Sequence, residues 1–504
     1  MIYDLGVTYV QGSRIKRPVY EKVFALIDCN NFFVSCERIF RPDLEGKSVV
    51  VLSSGDGCVV ARSNEAKALD IPMGAPAFQY RQIFKDKRVV QFSANFELYG
   101  NISKRITQIL TEVCPRIEVY SVDESFLDLS DLTIKDYEQW GRDVRARILR
   151  EVGVPVSVGI ASTKTLAKLA SEIAKRDDLI SKFRHSRAGG NRVEASPPEA
   201  LNYPAGSRIK SGMTAQGVVS FIDAKPEFLD QALAATPIRE VWGVGRKLAP
   251  KLQAEGIGNA LALANMRPQY AQKTMGIRGR QMVAELNGVS CLPLEMAGRI
   301  AKSLMRSRTF GEDTSELYVL EAAVASLATQ AAFRLRSHSL LARSIGVFAG
   351  TNRHKPGYKR WSRELRLSTP TSDSGQIISQ LVNLLQDFYT ASQSYHRLGV
   401  FLYDFVPAGS LQTDLFGFVD AADHDRSAAR MRAVDRINSR HGKNKIHYAA
   451  EELASSWQPK HSLRSPRYVS DWAELPNARI LRENNPINHL IRNEQAPQET
   501  TSRA

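Results

Sequence analysis

Between residues 23 and 175, short apolar runs of strand type alternate with longer segments of helical period, and this alternation is the strongest constraint on the fold. The runs VFALID (23–28), SVVVLS (48–53), CVVARS (58–63), IEVYSV (117–122), SFLDLS (125–130) and VSVGIA (156–161) are rich in β-branched residues and bounded by Gly, Pro, Asp or Ser. Helices are predicted over 64–70, 98–113, 137–152 and 162–175. In the second, Ile102, Ile106, Ile109 and Leu110 share a face; in the last, Leu166, Leu169, Ala170 and Ile173 do so behind a Ser162/Thr163 cap. The result is a mixed α/β domain.

Acids stand at the ends of these strands. Asp28 closes the first run, and Asp123 and Glu124 lie between the fourth and fifth. Carboxylates presented this way suit Mg²⁺, which takes oxygen ligands and keeps positions for water and phosphate. By spacing alone, an acidic pair at a strand edge is more often a solvated turn. All nine histidines lie beyond residue 184. A Ser–His or Cys–His nucleophile inside the first domain is therefore excluded, and its chemistry falls to carboxylates, Lys, Arg and hydroxyls.

Residues 183–216 carry Gly-Gly, Pro-Pro and Pro-Ala-Gly without an apolar period and read as a surface loop or insertion. Residues 219–296 read as helical. From 302 to 407, four strands (SLMRSRTF, SIGVFAGTN, SRELRLST, LGVFLYDFVP) are predicted with two helices between them. Beyond 408 the chain is polar with short amphipathic pieces, and the stretch from Arg482 reads as disordered. No internal repeat is present.

Charge narrows the partner. The chain has 68 Lys and Arg against 53 Asp and Glu, a net +15, which points to a polyanion. No apolar run is long enough to span a bilayer, and the first residues lack a signal-peptide pattern. The cysteines (29, 36, 58, 114, 291) are odd in number with no CxxC, as expected for reduced thiols in a cytoplasmic protein. Segment 299–366 holds 13 Lys/Arg against 5 Asp/Glu. Arg306 and Arg308 alternate on one strand, Arg334 and Arg336 follow, and Lys359, Arg360, Arg363 and Arg366 surround Trp361. This one-signed cluster reads as a duplex-backbone track. Residues 241–264 resemble a helix-hairpin-helix, with Gly243-Val244-Gly245 joining helical segments, a second turn at Gly256-Ile257-Gly258, and Arg246-Lys247 beside the first. Glycines there let backbone approach a phosphate at a helix N-terminus.

The ordered motifs FALIDCNNFFVSCERIFRPDLEGKSVVVLSSGDGCVVARSNEAKALDIPMG, YSVDESFLDLS and VGIASTKTLAKLA resemble the Y-family translesion DNA polymerases, the UmuC type above all. The resemblance runs from about 23 to 480, interrupted at 183–216. It implies an α/β multidomain, right-hand polymerase. The α/β palm would span 23–40 and 98–182, the small fingers 41–97, the helical thumb with its helix-hairpin-helix 217–298, and the α+β little finger 299–408. An N-terminal extension (1–22) precedes these, 183–216 is an insertion loop, and 409–504 is a tail with a clamp-binding peptide and a UmuC-like C-terminal region.

The resemblance also implies roles. Asp28, Asp123 and Glu124, with the backbone carbonyl of Cys29, would hold two Mg²⁺ ions for attack of a primer 3′-hydroxyl on a dNTP α-phosphate. Phe33 matches the steric gate that refuses a ribose 2′-hydroxyl, with Phe32 beside it at the nucleotide; without the motif, a core aromatic is the expected reading of Phe33. Lys168 would contact the triphosphate. Asn64 and Lys67 would reach the same phosphates, with a solvated helix face as the equal alternative. Gly243, Gly245, Arg246, Lys247, Arg306 and Arg308 would contact DNA. Gln412, Leu415 and Phe416 would dock an extended peptide on the sliding clamp. The implied partners are damaged primer-template DNA, dNTPs, a UmuD fragment dimer, RecA and the clamp, in SOS mutagenesis in the bacterial cytoplasm at the nucleoid, with no membrane. A non-catalytic DNA- and clamp-binding mutagenesis scaffold and a DinB-type polymerase acting alone are the alternatives; the intact acids oppose the first and the tail the second. Two features depart from the pattern: the residues before the first strand, and 183–216, whose SRAGGNR…SRIKSGMT text resembles a translated mobile palindromic repeat.

Overall fold

The structure of the chain, a computed structural model, describes residues 22–176, 217–222, 224–296, 302–410, 421–442, 444–452, 457 and 463–475. Most of the N-terminal extension, the insertion loop, the far tail and the clamp peptide (Gln412, Leu415, Phe416) lie outside the described residues. Two units form: one holds the chain up to 297 and from 462 onward, the other 298–461. Among the described residues no helix is long and apolar enough to cross a membrane.

The first unit contains strands β1 (Phe24–Cys29), β2 (Val49–Leu52), β3 (Val59–Arg62), β4 (Val90–Ser93), β5 (Ile117–Val119), β6 (Glu124–Asp128), β7 (Val156–Ala161) and β8 (Val218–Ser220). A five-stranded sheet has the order β5-β6-β1-β7-β8, and a three-stranded sheet the order β3-β2-β4. All six residues of β1 are buried, because β1 is central and covered on both faces. Strand alternation divides its side chains. Ala25, Ile27 and Cys29 join the core formed with helices Phe32–Phe40, Phe96–Val113 and Tyr137–Val152. Phe24 and Leu26 join Phe126 and helix Lys164–Ala174 on the other face. Thr163 caps that helix as expected, accepting the Leu166 amide at 3.2 Å.

Gly159 sets how closely this helix lies on β7. A Cβ there would stand 2.1 Å from the Ala167 carbonyl oxygen and 2.2 Å from the Ser171 amide nitrogen. Only a residue without a side chain permits that approach.

Strands β4 and β8 lie outside the predicted runs: β4 (VQFS) is half polar, and β8 has three residues. The predicted strand 117–122 stops at Val119, because the chain turns: the Tyr120 and Ser121 amides donate to the Glu124 carbonyl at 3.1 and 3.0 Å.

The second unit is a four-stranded antiparallel sheet, β9 (Ser303–Thr314), β10 (Leu340–Gly350), β11 (Arg360–Thr371) and β12 (Tyr395–Pro407), in the order β11-β10-β12-β9. Helices Leu317–Arg336 and Ser374–Gln386 pack on the face carrying Ile345, Val347, Leu398, Val400 and Leu402. Helix Ala421–His441 adds to this unit through Arg336–Asp435 (2.7 Å) and Arg430–Asp373 (2.5 Å). The tail, read in the sequence as one segment, is thus divided: 421–452 belongs here, and 463–475 to the first unit.

Candidate active site and nucleic-acid surfaces

β1 and β6 run antiparallel with Asp28 directly opposite Glu124. Asp123 occupies the turn before β6, and its carbonyl accepts the Cys29 amide at 2.9 Å. The turn is held by Ser121, whose Oγ accepts the Glu124 amide at 3.0 Å and donates to Asp123. The three predicted carboxylates therefore stand at adjoining strand ends. Like charges placed opposite each other repel, so this arrangement needs cations.

Helix Lys164–Ala174 and the residue after it supply them. Lys164, Lys168 and Lys175 follow at spacings of four and seven, which places them on one stripe. Lys168 Nζ donates to both Glu124 carboxylate oxygens at 2.7 and 2.8 Å. Lys175 Nζ donates to Asp28 Oδ2 at 2.8 Å. Lys164 Nζ donates to Glu118 Oε2 at 2.7 Å, with side chains only 5% and 8% exposed. Lys168 also stands 5.1 Å from the Tyr120 ring centroid and 5.8 Å from that of Trp242.

Burial pushes the Asp28 carboxyl up to about 7; Lys175 pulls it down and Glu124 adds to the rise. Burial by itself would lower Lys175, but Asp28, Glu172 and Glu124 outweigh it and raise the ammonium. Burial, then Asp28 and Asp123, push the Cys29 thiol up, so it is no nucleophile. Among the described residues no three His, Cys, Asp or Glu side chains are arranged to hold an ion. The carboxylates engage ammonium groups instead, a donor set of hard oxygens already organised around positive charge.

After Asp28 the chain turns sharply. Asn31 adopts φ 49° ahead of helix Phe32–Phe40 and donates from Nδ2 to Asn64 Oδ1 at 3.0 Å. Lys67 Nζ donates to the same oxygen at 3.3 Å. Burial, then Arg62 and Lys175, lower the Lys67 ammonium, so the predicted Asn64–Lys67 pair belongs to a cluster of cations near the carboxylates. Phe33 stacks on Tyr99 (centroids 4.4 Å, 13°) and meets Phe96 edge-on at 5.9 Å. Phe32 requires a correction: it is 3% exposed in the core with Val34 and Cys36 and offers no face to a nucleotide. Phe33, about 100° further round the helix, lies at the edge of the same core, its ring 5.8 Å from that of Phe32, and is only partly buried.

The helix-hairpin-helix also differs in detail. Gly243 (φ 93°) and Gly245 follow the short 3₁₀ turn Ile238–Glu240, whereas the paired α-helices Leu248–Ala254 and Ala260–Ala264 flank the Gly256 turn. Arg246 and Lys247 are exposed, and nothing lies within 4 Å of a Cβ on Gly245.

In the second unit, Arg306 and Arg308 pair with Val400 and Leu398. They share the helix-bearing side of edge strand β9 and are exposed there. The opposite face, where neither helix packs, carries Arg360, Arg366 and Arg397. Arg360 and Arg397 stand 4.9 and 5.7 Å from the Phe348 ring centroid. Arg336, read with the basic track, instead serves the ion pair with Asp435.

The residues that sequence reasoning missed are Lys164, Lys175, Glu118 and Tyr99. The helical period gave no signal for Lys164, which lies on the stripe of Lys168 and Lys175, opposite Leu166, Leu169, Ala170 and Ile173; its burial comes from the long-range partner Glu118.

Comparison with known proteins gives the family. Residues 27–172 match the impB/mucB/samB family, 301–415 the impB/mucB/samB family C-terminal domain, and 429–478 a domain of unknown function, DUF4113. The chain is 36% identical over 462 residues to Protein SamB of Salmonella typhimurium, spanning 91% of this chain and 100% of that one. It is 36% identical to Protein UmuC of the same species over 457 residues (90% and 99% of the two chains). It is 27% identical to DNA polymerase IV of Desulfatibacillum aliphaticivorans over 451 residues (88% and 100%). A solved Y-family DNA polymerase chimera superposes with a TM-score of 0.57 at 20% identity, over 76% of this chain and 99% of the chimera. The fold is that of a Y-family polymerase, and the enzyme class is DNA-directed DNA polymerase acting in translesion synthesis. Within that class the chain belongs to the impB/mucB/samB family.

Proposed function

We propose that this chain is the error-prone polymerase of an SOS damage response, adding dNTPs to a primer 3′-hydroxyl opposite damaged template by two-metal-ion nucleotidyl transfer. The observation that carries the reading is the direct opposition of Asp28 and Glu124 beneath the lysine stripe. Asp28, Asp123 and Glu124, with the Cys29 carbonyl, are the ligands for two Mg²⁺ ions, which when bound stabilise the attacking and leaving oxygens.

The chain's own groups do the rest. Lys168 and Lys175 neutralise carboxylates in the free protein and are the charges available to a triphosphate. Lys67 and Asn64 extend that cationic wall. Phe33, braced by Tyr99, is the steric gate. Gly243, Gly245, Arg246 and Lys247 contact backbone phosphates; Arg306 and Arg308 contact DNA from the edge strand β9, and the open-face arginines Arg360, Arg366 and Arg397 do so from the other side of the sheet. The domain limits are those of palm (23–40, 98–182), fingers (41–97), thumb (217–298) and little finger (299–408). Gln412, Leu415 and Phe416 bind the sliding clamp, and a UmuD fragment dimer and RecA complete the working assembly at the nucleoid.

The test is primer extension past an abasic site with Mg²⁺, clamp, UmuD fragment and activated RecA, comparing wild type with Asp123→Ala/Glu124→Ala. Extension by wild type alone supports the site. Equal extension by both overturns it. Binding of primer-template by both with extension by neither replaces the polymerase reading with the scaffold.

A further inference from the structure

Residues 463–475 lie some 430 residues beyond Phe33, yet they pack under the aromatic floor of the site. The segment enters beside β4: the Ser93 amide donates to the Leu463 carbonyl, and the Leu463 amide to Ser93 Oγ, both at 3.0 Å. Arg464 pairs with Glu97 at 3.3 Å. Ser465 Oγ accepts from Asn95 Nδ2 and donates to Glu37 Oε1, both at 3.0 Å. Tyr468 stacks on Phe40 (centroids 4.4 Å, 7°) and joins the core that holds Phe32 and Tyr99.

Glu37 is the joint. It is fully buried, and the same Oε1 that accepts from Ser465 accepts from Tyr99 Oη at 2.6 Å. Its Oε2 has no hydrogen-bond partner among the described residues. A buried carboxyl with one unmet oxygen is held in place by the two bonds it does make. One of those comes from the far end of the chain. Tyr99 in turn is the ring on which Phe33 lies flat. A continuous line of contacts thus runs from Ser465 through Glu37 and Tyr99 to Phe33. Residues 463–475 fall within the DUF4113 match, 429–478.

We propose that residues 463–475 form a strap that fixes Tyr99, and through it the Phe33 ring, so that the C-terminal segment sets the sugar selectivity of the nucleotide pocket. The inference rests on Phe33 acting as the steric gate. Ser465, Glu37 and Tyr99 are positioning residues: all three are buried behind Phe33. A gate excludes a 2′-hydroxyl only if its ring cannot recede. Loosening the support therefore admits ribonucleotides while the carboxylates, which lie on other elements, stay in place.

Single-nucleotide insertion by the full assembly tests this, with kcat and KM measured separately for a dNTP and the matching rNTP. Ser465→Ala should lower dNTP-over-rNTP discrimination about fivefold, the worth of one buried hydrogen bond, through a lower rNTP KM with dNTP kcat held. Glu37→Ala should cost on the order of tenfold, since both hydroxyls lose their acceptor. Glu37→Gln keeps that acceptor and should restore discrimination. Tyr468→Phe keeps the stacked ring and should match wild type. Phe33→Ala is the gate control. If Phe33→Ala loses discrimination while Ser465→Ala and Glu37→Ala keep it, the strap is refuted and the gate stands. If Phe33→Ala discriminates like wild type, the gate reading fails and takes the strap with it. Hydrogen exchange at amides 96–100 gives a readout free of turnover: faster exchange in Ser465→Ala, at an unchanged unfolding temperature, is expected, and unchanged exchange overturns the proposal.

Discussion

Gly159→Ala adds one methyl group, and the structure says where it goes. The new Cβ falls 2.1 Å from the Ala167 carbonyl oxygen, 2.2 Å from the Ser171 nitrogen and 2.8 Å from the Ser171 Cα. All three are backbone atoms of helix Lys164–Ala174, so no rotamer change relieves the clash. Ordinary contact distances require the helix to retreat by about 1 Å. Overpacking of this kind costs about 1–3 kcal/mol. The retreat also lengthens the Lys168–Glu124 and Lys175–Asp28 bonds, now 2.7–2.8 Å, beyond hydrogen-bond range. A displacement of about 1 Å in a catalytic array costs roughly 100-fold in rate. Gly100→Ala is the matched control: nothing lies within 4 Å of its Cβ, and it sits inside helix Phe96–Val113. That change should stabilise by up to about 1 kcal/mol and leave extension intact. Thermal unfolding and primer extension on undamaged template read both effects. A Gly159→Ala chain with wild-type melting and wild-type extension refutes the claim that this close approach places the lysines.

Other outcomes follow from single contacts. Lys164→Met strands Glu118 in the core and should destabilise by about 3–5 kcal/mol, whereas Lys164→Met/Glu118→Leu recovers most of it; urea unfolding measures both. Glu37 has its carboxyl raised, by burial first, against the bonds from Tyr99 and Ser465. A raised folded pKa means wild-type stability is full below the ordinary carboxylate value, about 4.5, and is lost as pH rises through the folded one. Glu37→Gln should therefore gain over wild type as pH rises, and a melting-temperature difference flat from pH 4 to 8 would contradict this. Arg366→Ala and Arg397→Ala should each reduce the slope of log affinity against log salt for duplex DNA by about 1, without changing sequence preference, in fluorescence anisotropy.

What could be read in advance was local. The long apolar runs and the helical period of 164–174 report burial on a named face, and Asp28, Asp123 and Glu124 stand where those runs end. The four strands and two helices of 302–407 were legible for the same reason. Pairings across the chain were not. Lys168 was visible through its motif, but Lys175 acquires meaning only when β1 brings Asp28 beneath it, 147 positions away. The register of β9 against β12 decides which face Arg306 shares, and a one-residue shift would have reversed it. The hardest case is the strap. Ser465 and Tyr468 sit in a polar stretch with no period, and nothing nearby explains burying either. Tyr468 is buried by stacking on Phe40, and the reason for Ser465 is Glu37, a carboxyl placed inside the core by its own helix and in need of donors. A buried acid of that kind implies a partner somewhere, and here the chain supplies it 428 positions later. Adding that distant contact to Tyr99, instead of a local side chain, makes support of the Phe33 ring depend on the C-terminal segment being present and seated.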